Sequence, residues 1–579
     1  MRRSGVRPRR FLAAAVLLFQ FASAAFAEER QPEPSTDAPA AAEPENLVCR
    51  PAPGRLQGLA QAPSGTAVIG EILVRNDDVF DPTLPAENRW LFRIANRLHW
   101  TTRVPAICSE LLFAPGDPYD PQQLAESERL LRGKRYLHDA GVQPIAVHEV
   151  PGGAQRVDVG VTTRDVWTLA LGVGVGRSGG SNETHFSLRD SNIFGTGRYL
   201  SLARDTNVDR TETALAFLDA NLLGRHGRLD VQWSDNSDGH ERQLELARPF
   251  YALDSRWGVG GNVHDLARVD HRYSLGHAFD AFALQRREAE VWGGWSNGLS
   301  DAGRATRYRI GLTWSEDRFQ AVEGTHEPLP DSQDLIYPWV SVELAEEAFR
   351  QEQNLDQIGR TEDVFLGHRA TLRLGFTSGE LGGLSNSNRP STFILIADAD
   401  GGRDLSDRTT LLYSIAASAR FTGAGSENVR LGASARLLRR NFGEHLLVAS
   451  LAYDFARDLD AGEQLLLGGD NGLRGYPLRY QDGTSRLLFT VEQRYFTGWY
   501  PFQLAHIGFA GFADVGRTFG EPAVPGSDLG WLEDIGVGLR LAPSRSGLGA
   551  VIHLDVALPL AGDSSIQSVQ WLVRTRASF

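Results

Sequence analysis

A mostly β fold is predicted for this chain: a sixteen-stranded antiparallel transmembrane β-barrel preceded by one small α+β domain. Three observations lead there. The first ten residues hold five arginines, and a short apolar run, Phe11–Phe19, and an Ala25-Phe26-Ala27 motif follow; these are the parts of a secretory leader. From residue 165 onward, segment after segment alternates apolar and polar side chains with a period of two. That is the pattern of a strand with lipid on one side and a wet lumen on the other. No later stretch reaches the roughly 18 apolar residues of a membrane-crossing helix.

Residues 1–27 are read as the leader. A membrane anchor is the competing reading, but the apolar run is too short for one. No Cys follows the cleavage motif, which argues against a lipoprotein. Removing five arginines takes the net charge from −13 to −13 − 5 = −18, which argues against nucleic acid as a partner. A mean hydropathy of −0.27 and 61 glycines fit a barrel whose polar interior dilutes its apolar exterior. Residues 28–65, rich in Pro, Ala and Glu, read as a disordered linker.

Residues 66–164 have a different texture. Val68–Val74 is a short apolar strand, Pro105–Phe113 a short helix, and Pro121–His138 the clearest helix, with Pro121 in its first turn. Leu124, Leu130, Leu131 and Leu137 fall near helical spacing. Strands Val142–Val150 and Arg156–Thr163 follow, joined by Pro151-Gly152-Gly153. Cys49 and Cys108 both precede the barrel. An exported chain allows them to pair, and the sequence carries no distance between them.

Residues 165–579 supply the barrel. Leu229, Val231 and Trp233 alternate with polar neighbours, as do Tyr308, Ile310, Leu312 and Trp314, and Leu447, Ala449, Leu451 and Tyr453. The last segment alternates to Phe579. At about 25 residues per strand and loop, these residues make about 16 strands, and single-chain bacterial barrels have even counts. The first barrel strand, Trp167–Gly176, carries Gly172, Gly174 and Gly176 on one face. They allow curvature, or they weaken a seam with the last strand.

One stretch departs from the alternation: Leu467-Gly-Gly-Asp-Asn-Gly-Leu-Arg474-Gly475-Tyr476-Pro477. It is too Gly-rich for a helix or an ordinary strand and reads as a loop, placed around 465–485. Downstream, Leu488, Thr490, Glu492 and Arg494 share one strand face, so Glu492 points to the lumen. In Phe512-Ala513-Asp514-Val515-Gly516 the alternation places Asp514 inside as well.

These residues together resemble the BamA/TamA-type outer-membrane assembly family of the bacterial surface antigen superfamily, which includes two-partner secretion transporters. The likeness covers nearly all of the chain after the linker. Residues 66–164 look like one POTRA module, with Glu110–Asp120 and Leu124–Leu131 similar to its two helices and their turn. Leu188–Arg198 looks like an early barrel hairpin, and Leu473-Arg474-Gly475-Tyr476 is similar to the R-G-[FY] motif of the family's sixth extracellular loop. The resemblance implies that this loop folds into the lumen and that Arg474 pairs there with Glu492 and Asp514, beside Gly516. The plain alternative is a solvated Arg474 and an Asp514 that lines a wet channel.

The function expected from that resemblance is insertion or translocation of client outer-membrane or secreted polypeptides, received by the POTRA. It implies a monomeric barrel in a Gram-negative outer membrane, with the N-terminal domain in the periplasm, lipid around it and a periplasmic or inner-membrane partner at the POTRA. A secretion pore dedicated to one exported protein is the alternative; a passive porin or receptor is a third. The essential assembly insertase carries five POTRA modules, against one here, which favours a specialised role. Neither catalysis, a cofactor nor a metal is expected: there is no H-E-x-x-H, Walker loop or G-x-S-x-G. Asp398-Ala-Asp-Gly-Gly402 resembles part of a calcium loop but reads as a turn between strands, and Asp454 and Asp555 as isolated luminal acids.

Overall fold

A computed structural model describes residues 49–59, 67–149, 155–222, 226–378, 391–460, 462–547, 549–562 and 566–576. The leader, residues 28–48 of the linker, and Phe579 lie outside the described residues.

The N-terminal module holds β1 (Arg50–Pro51), β2 (Ala67–Asp77), α1 (Trp90–Leu98), α2 (Val104–Cys108), α3 (Pro121–Arg132), β3 (Leu137–Glu149) and β4 (Gln155–Asp165). Its sheet has the order β1-β2-β4-β3. One face carries Ile69, Ile72, Val74, Val159 and Val161, which pack with Ile107, Leu124 and Leu131 from the helices into a single core. In α3, Pro121 occupies the first turn and the Asp120 carboxylate accepts from the Gln122 N–H, satisfying a donor the helix leaves unpaired. The helix stops at Arg132, short of His138, because Tyr136 and Leu137 turn into the core and Leu137 opens β3. Helix α1 lies in the segment that the sequence left unassigned.

Residues 49–59 belong by composition to the linker, yet they lie on the sheet. Ala52 N–H donates to Val74 O at 2.8 Å and Leu59 N–H to Pro144 O at 2.9 Å. Cys49 and Cys108 are disulfide-bonded, which ties this strap to α2 and buries Cys49.

The barrel is closed and has twenty strands, not sixteen. The first is Leu169–Ser178 and the last described is Gln570–Arg576. The count rises because the connections are short: Asn236–Gly239 and Ser274–His277 turn over two intervening residues each. Between Leu169 and Arg576 a strand with its connection takes about 20 residues rather than 25. Strand length varies around the wall. Tyr199–Thr206 has 8 residues and Val551–Pro559 has 9, whereas Trp257–Ser274, His277–Leu299 and Arg304–Ala321 have 18, 23 and 18. Exposed Leu171, Val173, Ile310, Val340 and Val537 mark the outward face. Asp398–Gly402 is no turn; it lies inside the strand Thr392–Ser406, paired on both sides. Asp400 there binds Arg369 through two hydrogen bonds, at 2.9 and 3.1 Å.

Module and barrel touch at several points. Leu253 N–H donates to Glu126 at 2.8 Å, Trp167 N–H to Arg545 O at 2.8 Å, and Arg103 N–H to Gly195 O at 2.9 Å. His138 on β3 belongs to this region. Burial, then the charges of Arg545, Arg360 and Arg164, push its pKa down to about 4. An unfolded imidazole titrates near 6.5, so the unfolded module takes up that proton first. The stability tied to neutral His138 is full above about pH 6.5 and is lost as pH falls towards 4.

Two outcomes are expected. Proteolysis of the module at pH 4.5 should exceed that at pH 7.5, and His138→Gln should flatten the difference; an unchanged profile in the variant would remove His138 as its source. Cys49→Ser with Cys108→Ser should cost the module about 2–4 kcal/mol, seen as a lower denaturant midpoint for module cleavage with the barrel intact.

Candidate functional site

The connection between strands His445–Arg457 and Ser485–Phe496 emerges on the side away from the module and then folds back into the lumen. A short ladder, Leu465–Leu467 with Gln481–Gly483, closes its base. Leu467, Leu473, Tyr476 and Tyr480 are buried against Leu532. Gly468 and Gly469 let the two arms meet: a Cβ on Gly469 would lie 2.3 Å from Tyr476 O.

Arg474 sits at the inner end. Its Nε and Nη2 donate to the two oxygens of Asp514 at 2.7 and 2.9 Å, and its Nη1 donates to Glu492 Oε2 at 2.8 Å. The guanidinium carbon lies 3.3 Å from the centre of the Phe512 ring. Fork-to-carboxylate geometry and ring stacking are both specific to Arg. Gly475 N–H donates to Asp534 at 2.9 Å, and a Cβ on Gly475 would lie 2.7 Å from the Asp534 Cβ. The Tyr476 hydroxyl lies 2.7 Å from Ala561 O and accepts from Glu533 N–H at 3.0 Å. Gly516 leaves space for Leu467, whose Cδ2 would be 3.1 Å from an added Cβ.

Glu492 is also held from below. Arg494 Nε donates to its second oxygen at 2.9 Å, and the fully buried Arg540 reaches it at 3.5 Å. Arg540 pairs in turn with Asp555, and Arg486 with Asp454, so neither aspartate stands alone. Sequence reasoning missed Arg494, Arg540, Phe512 and Asp534. The signal for the first was present, since Arg494 shares the inward parity of Glu492.

A second element enters from the module side. The connection between strands Gln333–Glu346 and His368–Thr377 forms a hairpin, Phe349–Gln353 with Thr361–Phe365. Leu355, Ile358 and Val364 cover inward Leu438, Leu446, Val448, Phe496 and Val551. Arg494 Nη1 donates to Leu355 O at 2.6 Å, and Arg436 to Asp356 at 2.7 Å. From the other side Arg132 of α3 grips Asp363 through two bonds of 2.9 Å. One run of contacts therefore joins the Arg474 loop, Glu492, Arg494, the hairpin and the module.

Among the described residues, the first and last strands share a single residue pair, Val573 with Arg177, whereas the first two strands share ten and the last two share seven. Gly172, Gly174 and Gly176 lie on the lumen side of the first strand, while Leu171, Val173 and Val175 face out. A Cβ on Gly172 would lie 2.5 Å from Ser187 Oγ, and one on Gly176 3.4 Å from Val573 O. The inward loop touches this seam. Ser178 Oγ donates to Gly469 O at 3.2 Å, and Arg574 contacts both groups.

The inward loop is the eighth on its side, because four more strands precede it than a sixteen-stranded barrel would place there. Five strands follow it to the end of the barrel, as would follow the sixth loop of sixteen strands. Among the described residues, no three His, Cys, Asp or Glu side chains converge as a metal site.

No protein-family model matches the chain, and none of the curated proteins matches it in sequence. Among solved structures, it is similar to CdiB from Acinetobacter baumannii over 88% of this chain and 73% of that one, with TM-score 0.44 and 12% identity. BamA from Haemophilus ducreyi lacking POTRA domains 1–3 is similar over 87% of this chain and 84% of its own, with TM-score 0.35 and 12% identity. The copper transporter OprC is similar over 73% and 82%, with TM-score 0.31 and 11% identity.

Arg474→Ala leaves Asp514 and Glu492 short of a buried cation, a loss on the order of 3–5 kcal/mol. Cleavage of loop 458–484 by added protease should rise while the heat-modifiable barrel persists, and Arg474→Lys should restore only part of the protection. Replacing residues 350–364 by a short Gly-Ser link should raise single-channel conductance; unchanged conductance would mean that the hairpin blocks no ion path.

Proposed function

We propose that this chain is an outer-membrane barrel that inserts or translocates client polypeptides. The observation that carries this reading is the seam: among the described residues, one strand contact with a single residue pair, braced from the lumen by the Arg474 loop. A wall that must keep its backbone groups paired in lipid parts most cheaply where few are paired. An incoming strand can add to such an edge and gain its main-chain hydrogen bonds there. In this reading the module is POTRA-like and periplasmic, and β3, which forms one edge of its sheet, receives a client segment by strand addition. The Arg474 cluster is the lock that holds the loop, now extracellular, against the seam. The disulfide fits an oxidising compartment.

A dedicated secretion pore is the second reading. It is favoured by the lumen itself, which segments of the chain enter from both ends and which a passing polypeptide would have to clear. The same filling disfavours a passive porin.

The test uses the full chain in the membrane. A photo-crosslinker at Val147 on β3 should capture a polypeptide in the producing cell. Arg177→Cys with Val573→Cys places a bond across the seam at directly opposed residues. Oxidation of that pair should stop client delivery if the seam is the exit. Full delivery through a bonded seam would move the route into the lumen, and steady high conductance with no captured polypeptide would overturn both readings.

A further inference from the structure

Helix α1 has two faces. With 100° between successive residues, Phe92, Ala95, Asn96 and His99 fall on one side, and Trp90, Leu91, Ile94 and Leu98 within a stripe about 100° wide on the other. The first side is spoken for: Phe92 stacks on Phe80 with ring centres 4.1 Å apart, Trp167 packs on the same cluster, and Asn96 bonds both N–H and C=O of Phe80. The second side is bare. Trp90 is 63% exposed, Leu91 57% and Leu98 66%. Arg93 and Arg97 border it along one edge, both exposed.

A bare apolar stripe of this size on a water-facing helix needs a partner. Its place in the fold says which. Trp100, just after α1, meets Phe194 edge-on with ring centres 5.0 Å apart. Phe194 is 56% exposed and caps the turn between the second and third barrel strands, on the module side. Arg103 N–H and Gly195 O fix the same junction. Above it run the outward Leu169, Leu171, Phe186 and Leu188 of the first two strands. The helix therefore continues the outward apolar wall of the barrel at its module-side edge. Aromatic residues are typical of that level of a membrane barrel, and Phe442, Trp499 and Phe502 stand exposed in other module-side turns.

We infer that α1 is an interfacial membrane helix, whose Trp90–Leu98 stripe inserts into the phospholipid leaflet on the module side beside the seam. The arginines along one edge of the stripe suit lipid headgroups, with their stems along the apolar boundary and their charge in the headgroup layer. The occupant is thus a bilayer surface containing anionic phospholipid. The inference requires that the barrel sit in a bilayer, and it is independent of what the barrel transports. Its consequence is that the module is anchored to the membrane directly, in addition to its contacts with the barrel.

The test uses the full chain in vesicles of phosphatidylethanolamine and phosphatidylglycerol. Because Cys49 and Cys108 are paired, Ile94→Cys offers a single thiol for an environment-sensitive fluorophore, and Glu71→Cys on the open face of the sheet is the control. Lipid spin-labelled near the headgroup should extinguish most of the signal at position 94 and leave that at 71 unchanged. A fluorophore at Leu91→Cys should lose its quenching when Ile94→Asp and Leu98→Asp are added, with barrel heat-modifiability intact, because both side chains are exposed. Replacing phosphatidylglycerol by phosphatidylcholine should weaken the quenching. Equal quenching at 94 and 71, or quenching at 91 that survives the two aspartates, would overturn the inference.

Discussion

In hydrocarbon a peptide group without a partner has no water to turn to, so every strand in the wall needs a neighbour on each side. Among the described residues, nineteen of the twenty contacts in this barrel meet that demand with ladders of seven or more residue pairs. The twentieth does not. The rest of the molecule is arranged around that shortfall. The loop that dips into the lumen reaches Ser178 and Arg574, one on each side of the weak contact. What holds the loop therefore also bears on the closure of the wall.

The loop is held by charge in a place where charge is expensive. Arg474, Glu492, Asp514 and Arg540 are all nearly inaccessible, and each would be costly alone. Together they supply one another with hydrogen bonds, and Glu492 is bound by three guanidinium groups. Such a cluster gives little net stability over an apolar core but tolerates almost no displacement. It suits a joint with two definite positions better than a soft spring. The hairpin below combines a partly exposed pair, Arg436 with Asp356, which is individually weak, with the less accessible Arg132–Asp363 pair and the Arg494–Leu355 hydrogen bond.

The alternation in the barrel was legible because one outward and one luminal residue must succeed each other along every strand. It also placed Glu492 and Asp514 on the inner face before any geometry was known. The number of strands was not legible: alternation has no phase across a tight turn, and a generous loop allowance merged short strands into fewer. Asp398–Gly402 misled because Asp and Gly normally mark turns, while here the neighbouring strands impose extension. The hairpin at 349–365 left no trace, since its apolar residues Leu355, Ile358 and Val364 follow neither a strand nor a helix period. Helix α1 escaped notice for a related reason. Its nine residues are short for the periodicity test, and its apolar stripe faces away from the module core.

The unequal strand lengths give the barrel a lopsided rim. Eight residues at about 3.3 Å each, tilted by about 40°, rise about 20 Å, close to the apolar band of an outer membrane. Eighteen residues at the same tilt rise about 45 Å, so that side of the wall would stand roughly 20 Å proud of a bilayer around the barrel. The low side includes the seam and its neighbours, and the high side is the sheet from Trp257 to Ala321. The vessel is shaped like a jug with its spout at the seam.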